Sequence, residues 1–370
     1  MKLFTPLPIV GPTAIPLSPT GGGTYPRLAN VQGAILAAYT AFDGDTRVLT
    51  ISRSTDGGKS FSAWGTVASG TGDLDNPDLI QLSNANIVCT FRNHDINSTG
   101  NYTFYRITAS LSTDGGKSWT YLSQVDQRAA AGRNGLWEPF NRVSAGNTLQ
   151  VYYASENSAV DQDILMRSST DDGATWSDAY TVAGGTTTGR DGMPGCTSFS
   201  GTPYKVLCVF ETTEGSGTSF TVKSVVSHDD GATWGERSQV YVPTGSGNNS
   251  GSPQVTTTSG GAFVTSFMTD EDTSLHEWYI YITVYHLWSL TNRGCIIINY
   301  YRPDRGANFK IITSLSSDPA VWGQKTTVSG VQSSWPGLLA LTDGTVLGCS
   351  DHGGVNCHSI SFTSAQSTVW

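Results

Sequence analysis

Four copies of one short pattern recur along this chain at an almost constant interval, and that regularity limits the fold more than any other feature. The pattern is Ser-x-Asp-x-Gly-x-Ser/Thr-aromatic. Its copies begin at Ser54, Ser112, Ser169 and Ser227, with separations of 58, 57 and 58 residues. A fixed period of this length means one supersecondary unit repeated. Within each unit the Asp and Gly suit a tight turn between two strands, with the aromatic tucked beneath it.

A second repeat marks the other end of each unit. X-Pro steps occur at Tyr25-Pro26, Asn76-Pro77, Glu138-Pro139, Met193-Pro194, Ser252-Pro253 and Trp335-Pro336, each heading an apolar run. Pro is tolerated at the first residue of a strand, where no ladder donor is needed, so each step is expected to open a strand. About fourteen residues later a second apolar run ends, at Tyr39, Phe91, Tyr153, Phe210, Phe267 and Ser350. Six such units predict an all-β chain folded as one six-bladed β-propeller of four-stranded antiparallel blades across 1–370. The low charged fraction of 14% and the 42 Gly agree with short strands and tight turns. The Ser-x-Asp-x-Gly turns look like the Asp boxes of sialidase-like propellers, and a structural role is expected for them.

One stretch breaks the rhythm. A degenerate fifth copy, Ser316 to Trp322, starts 89 residues after Ser227, an excess of 31 over the period. The excess falls in 274–310, which is dense in Tyr, Ile and Trp. It reads as an insertion, either a β-hairpin extension on the propeller side or an intron translated through a faulty gene structure.

Function is bounded by charge and cysteine. A net charge of −9 supplies no basic field for nucleic acid or an anionic membrane. The six Cys show no CxxC pair and no metal-ligand spacing. Cys89, Cys208 and Cys349 lie in apolar strand-like runs and read as buried thiols rather than a disulfide framework. No cofactor or metal motif appears. The segment 1–19, broken by Pro6, Pro8, Pro12 and Pro16, makes a poor signal peptide and cannot span a membrane.

The repeat also singles out carboxylates. Adjacent strands of a blade are antiparallel, so the start of the first and the end of the second share one mouth. Glu138 immediately precedes the first strand of unit three, and Glu211 immediately follows the second strand of unit four. Equivalent rim positions carry Tyr25, Asn76, Arg92, His94, Asp95, Met193, Ser252, Trp335, Asp351 and His352. Polar groups between aromatic walls suit a sugar pocket, and glycoside hydrolysis commonly needs two carboxyl groups. Glu156 and Asp191 also fall at rim positions and are credible substitutes. Trp137 and Trp335 either stack on sugar rings or pack in the core. Arg133 and Arg190 could donate to hydroxyls.

Taken in order, Tyr25-Pro-Arg27-Leu28, Asp75-Asn-Pro77, Phe91-Arg92-Asn93-His94-Asp95, Gly135-Leu-Trp137-Glu138-Pro-Phe140, Ser155-Glu156-Asn157, Arg190-Asp191-Gly-Met193, Phe210-Glu211-Thr212 and Trp335-Pro-Gly337 resemble glycoside hydrolase family 93. The resemblance covers nearly the whole chain outside the odd stretch. It implies a secreted six-bladed propeller, an exo-α-1,5-L-arabinanase releasing arabinobiose with retention, acting as a monomer without a cofactor. It also implies Glu138 and Glu211 as the catalytic pair, with Glu138 as nucleophile and Glu211 as acid/base, or the reverse. Tyr25, Arg27, Asn76, Arg92, Asn93, His94, Asp95, Trp137, Glu156, Arg190, Asp191, Met193, Ser252 and Trp335 are the candidate substrate contacts. Three alternatives stay open at this stage. One is a sialidase, with Arg27 and Arg92 in an Arg triad. Another is a polysaccharide lyase built on His94 and Arg92. The third is a non-catalytic sugar-binding propeller.

Overall fold

The computed structural model describes residues 7–199, 204–215, 217–272, 280–283, 298–301, 307–315, 318–323 and 325–363. Six antiparallel sheets succeed one another along the chain, each opening on one of the X-Pro segments. Blade 1 runs through Thr24–Val31, Ala34–Asp43, Thr46–Ser54 and Ser62–Gly70, hydrogen-bonded in that order. Blades 2, 3 and 4 repeat the arrangement from Asp73–Gln81, Leu136–Val143 and Gly192–Phe199. Blade 5 starts at Ser250–Thr257, and its third strand, Asn308–Leu315, pairs with both Asp318–Trp322 and Thr326–Val331. Blade 6 is closed by the other end of the chain. Leu7–Val10 pairs with Val355–Thr363 and forms its outermost strand. The expected six-bladed propeller is therefore the fold.

The core is divided into six wedges, one at each seam between neighbouring blades. Between blades 1 and 2, for example, Leu36, Leu49 and Ile51 meet Ile87, Cys89 and Phe91, all but fully enclosed. Enclosing one such aliphatic side chain is worth about 1.5–3 kcal/mol, so each seam binds its blades apolar face to apolar face.

The Ser-x-Asp-x-Gly turns join neighbours at the end of the blades opposite the X-Pro steps. In blade 2 the Ser112 hydroxyl donates to Asp114 and accepts the Gly116 N–H at 2.9 Å, and Ser118 donates to Asp114 at 2.6 Å. Gly116 has φ +86°, and a Cβ there would lie 2.5 Å from Leu36 Cδ1 of blade 1. The left-handed backbone calls for glycine, and a Cβ would in addition displace the fully buried Leu36 side chain of the preceding blade.

The structure corrects three expectations. The X-Pro steps do not open strands but sit one to three residues inside them. Each makes a β-bulge, with register breaks at Thr24/Arg27, Asp75/Asp78, Trp137/Phe140, Gly192/Gly195, Gly251/Gln254 and Ser334/Gly337. A bulge, like a strand start, leaves a residue without a ladder bond, which is why Pro fits. Glu138 and Glu211 accordingly lie within strands rather than beside them. The reading of Cys208 and Cys349 as thiols is also overturned, because Cys196–Cys208 and Cys349–Cys357 are disulfides. Both pairs are direct cross-strand partners, a register that spacing alone does not display. Cys89 is a buried free thiol. Much of the odd stretch 274–310 lies outside the described residues. Within it, Ile280–Thr283 pairs with Ile298–Tyr301 as a separate two-stranded sheet.

Candidate active site

The six bulges share one conformational feature. The residue before each Pro is left-handed and none is glycine: Tyr25 (φ 54°), Asn76 (53°), Glu138 (43°), Met193 (52°), Ser252 (52°) and Trp335 (54°). For a residue with a Cβ this conformation costs roughly 1–2 kcal/mol, and such strain concentrates at functional sites. The bulge re-aims each side chain, and blade symmetry gathers the six at one mouth. Tyr25 and Trp335 stack across the seam between blades 1 and 6, with ring centroids 4.2 Å apart.

Glu138 and Glu211 meet at this mouth. Both are half-buried. Burial, and then the charge of Glu211, push the Glu138 carboxyl up from 4.5 to about 8, against the pull of Arg92 and Arg190. Burial likewise raises Glu211 to about 7, opposed by the Ser252 N–H and Arg190. That N–H donates to Glu211 Oε2 at 2.7 Å, and the Met193 backbone supports Glu138 in the same way. The left-handed residue of the next blade thus holds each carboxylate by its backbone. Both carboxyls are thus raised toward neutrality, chiefly by burial, and the charge of Glu211 adds to the rise of Glu138.

Behind the pair the charges are spent on one another. Arg190 donates to Glu156 Oε1 and to Gln162 Oε1, each at 2.9 Å, while Glu156 Oε2 accepts the Gly135 N–H at 3.0 Å. Asp191 is fully buried and receives both ends of the Arg237 guanidinium, at 2.7 and 2.9 Å. Glu156 and Asp191, the two substitutes for a catalytic carboxylate, are therefore ion-paired, and Glu138 and Glu211 carry no such direct partner among the described ion pairs. Arg27 is buried. Its Nη1 donates to the carbonyls of Pro26, Pro336 and Trp335 at 2.8, 3.1 and 3.3 Å, stitching blade 1 to blade 6.

Blade 2 contributes a cluster that sequence reasoning largely missed. Arg92 and Arg47 both bond Asp73 and Asp75, Tyr102 donates to Asp73 at 2.8 Å, and Thr40 donates to Asp75 at 2.6 Å. Burial opposes ionisation of Asp73, but Arg92 and Arg47 hold it down at about 2. The available signal was Asp73-x-Asp75, two carboxylates on one face of a strand. Arg47, from the third strand of blade 1, carried none.

Strand alternation separates the run Arg92 to Asp95, expected as a block of contacts. Arg92 and His94 face the mouth cluster. Asn93 faces the groove between blades 1 and 2, bonding Thr108, and exposed Asp95 pairs with Arg106. His94 is enclosed by Tyr102, Tyr105 and Trp137, and its Nδ1 accepts the Arg106 backbone N–H at 3.1 Å. Burial and Arg92 lower its pKa to about 3, so it is neutral. Trp137 lies between this aromatic cluster and Arg92, whose guanidinium carbon is 5.4 Å from the ring centroid. Neither a free Arg triad nor an accessible His base is assembled from Arg27, Arg92 and His94.

No family model and no curated protein sequence matches the chain. Solved structures do. A family 93 α-L-arabinofuranosidase of Fusarium graminearum, solved with arabinobiose, superposes with a TM-score of 0.68 at 18% identity, covering 97% of this chain and 98% of that one. An α-L-arabinanase of Penicillium chrysogenum, also with arabinobiose, gives 0.63 at 19% identity with the same coverage. A sialidase of Streptococcus pneumoniae gives 0.56 at 10% identity over 93% of this chain and 68% of its own. The family that the motifs resemble is thus represented among the structures sharing this fold.

Proposed function

We propose that the chain is a glycoside hydrolase acting on α-1,5-linked L-arabinan, exo-acting and retaining, and releasing arabinobiose. The observation that carries this reading is the half-buried pair Glu138 and Glu211, poised near neutral pH and backed by left-handed backbone from two neighbouring blades. In the first step one carboxylate attacks the anomeric carbon while the other, as the acid, passes its proton to the departing oxygen. In the second, that same group takes a proton from water as the water attacks the anomeric carbon and displaces the first carboxylate from the glycosyl ester it has formed. The stacked Tyr25 and Trp335 offer an apolar wall for sugar rings. The arabinose-bearing structures of the same fold support the sugar assignment. The two disulfides suit an oxidising compartment and support secretion.

The test is product analysis on linear α-1,5-arabinan with wild type, Glu138→Ala and Glu211→Ala. Arabinobiose from wild type and a loss of about 10⁴-fold in each folded variant are expected. Azide then assigns the roles, because it restores turnover with an inverted or retained glycosyl azide according to which Glu is missing. A folded wild type that releases nothing from arabinan refutes the reading.

A further inference from the structure

Glu211 is gripped by two positions that have no side chain. A Cβ on Gly251 would stand 2.3 Å from Glu211 Oε2, and its three nearest neighbours would all be atoms of Glu211. A Cβ on Gly192, the direct cross-strand partner of Glu211, would lie 3.3 Å from Oε1 and 2.9 Å from Gln162 Nε2. Neither glycine is left-handed, so backbone conformation does not call for glycine at either. Gly337 is different, since a Cβ there would meet the Pro26 carbonyl oxygen at 2.4 Å, a rigid backbone atom. At Gly251 the obstacle is the far end of a flexible side chain, which can swing aside at little cost to the fold. What it would leave is the Ser252 N–H, which binds the same Oε2 at 2.7 Å.

We propose that Gly251, assisted by Gly192, is a positioning residue. Its missing side chain keeps the Glu211 carboxylate seated on the Ser252 N–H and aimed into the mouth. The proposal rests on Glu211 being one of the two reacting carboxyls. A methyl group at Gly251 displaces the carboxylate by roughly an ångström, a misplacement that costs about 100-fold in rate. It also removes a hydrogen bond to the charged form, which raises the pKa of Glu211.

The test compares Gly251→Ala, Gly192→Ala, Glu211→Asp and the double variant Gly251→Ala/Glu211→Asp. Gly251→Ala keeps the cooperative thermal transition of wild type, while kcat falls about 100-fold with KM little changed. Gly192→Ala, with its longer contact, loses less. The double variant is no slower than Glu211→Asp alone, because the shortened carboxylate no longer meets the methyl, and that non-additivity locates the effect. Carboxyl ¹³C NMR, assigned against Glu211→Gln, shows the Glu211 midpoint moving upward in Gly251→Ala. Wild-type kcat in Gly251→Ala, additive losses in the double variant, or an unmoved midpoint overturns the proposal. If wild type cleaves no arabinan, the functional reading fails, and the NMR midpoint still decides the positioning role.

Discussion

The two ends of each blade use the same backbone region for opposite purposes. Each Asp-bearing turn has two consecutive left-handed positions: the first is Gly57, Gly115, Asp172 or Asp230, and the second, where a Cβ would press against the preceding blade, is Gly58, Gly116, Gly173 or Gly231, one residue type in every copy. At the mouth the left-handed positions are Tyr25, Asn76, Glu138, Met193, Ser252 and Trp335, six residue types in six copies. Where a turn only has to close and pack, glycine adopts the conformation without strain. Where a side chain is needed at that point, the strain is retained and the identity varies. Sixfold geometry with sixfold different chemistry is what a binding mouth requires, and the contrast separates scaffold from site without reference to any ligand.

Breaking the scaffold end should have the largest effect on stability. Gly116→Ala forces a Cβ at φ +86° against Leu36 Cδ1, 2.5 Å away. We expect a loss of about 2–3 kcal/mol in urea unfolding, with activity per folded molecule unchanged. A loss below about 0.5 kcal/mol would remove the mechanical role given to that turn.

Breaking the mouth end should do the reverse, in a pH-dependent way. The folded pKa of Glu138, about 8, lies above its ordinary 4.5, so the fold favours the protonated form. The stability associated with that proton is fully present below about pH 4.5 and is lost as pH rises through about 8. Glu138→Gln removes this dependence. It should match wild type near pH 4 and exceed it by about 2 kcal/mol near pH 9, discounted for the open side of the carboxyl. Parallel stability–pH curves for the two proteins would show that Glu138 is not held protonated.

The smallest effect tests the strain itself. Ser252 is left-handed, and its buried hydroxyl has no protein partner, yet its N–H serves Glu211. Ser252→Gly keeps the N–H and should stabilise the fold by about 0.5–1 kcal/mol in thermal unfolding. A destabilised variant would mean that the side chain, and not only the backbone, is needed at that bulge.

Much of the fold was legible because its signals are local. The turn chemistry of Ser54, Asp56 and Gly58 and the Pro after each bulge are written within a few residues and repeat, so counting them counts blades. The site was legible only in outline. Blade symmetry and the motif resemblance put Glu138 and Glu211 forward and kept Glu156 and Asp191 as substitutes, yet nothing beside these four residues in the chain shows which of them is ion-paired.

Tertiary structure made that distinction. Glu156 is paired with Arg190, 34 positions away, and Asp191 with Arg237, 46 positions away. Arg47 reaches Asp73 and Asp75 from another blade. Alternation along one strand turned Asn93 and Asp95 away from Arg92, and cross-strand register made disulfides of four cysteines. By itself the sequence determined how many blades there are and which end of each is variable, because turn and bulge geometry depends on adjacent residues. Which carboxyls are ion-paired was decided by the assembled propeller, because a charge is neutralised by whatever folding brings beside it.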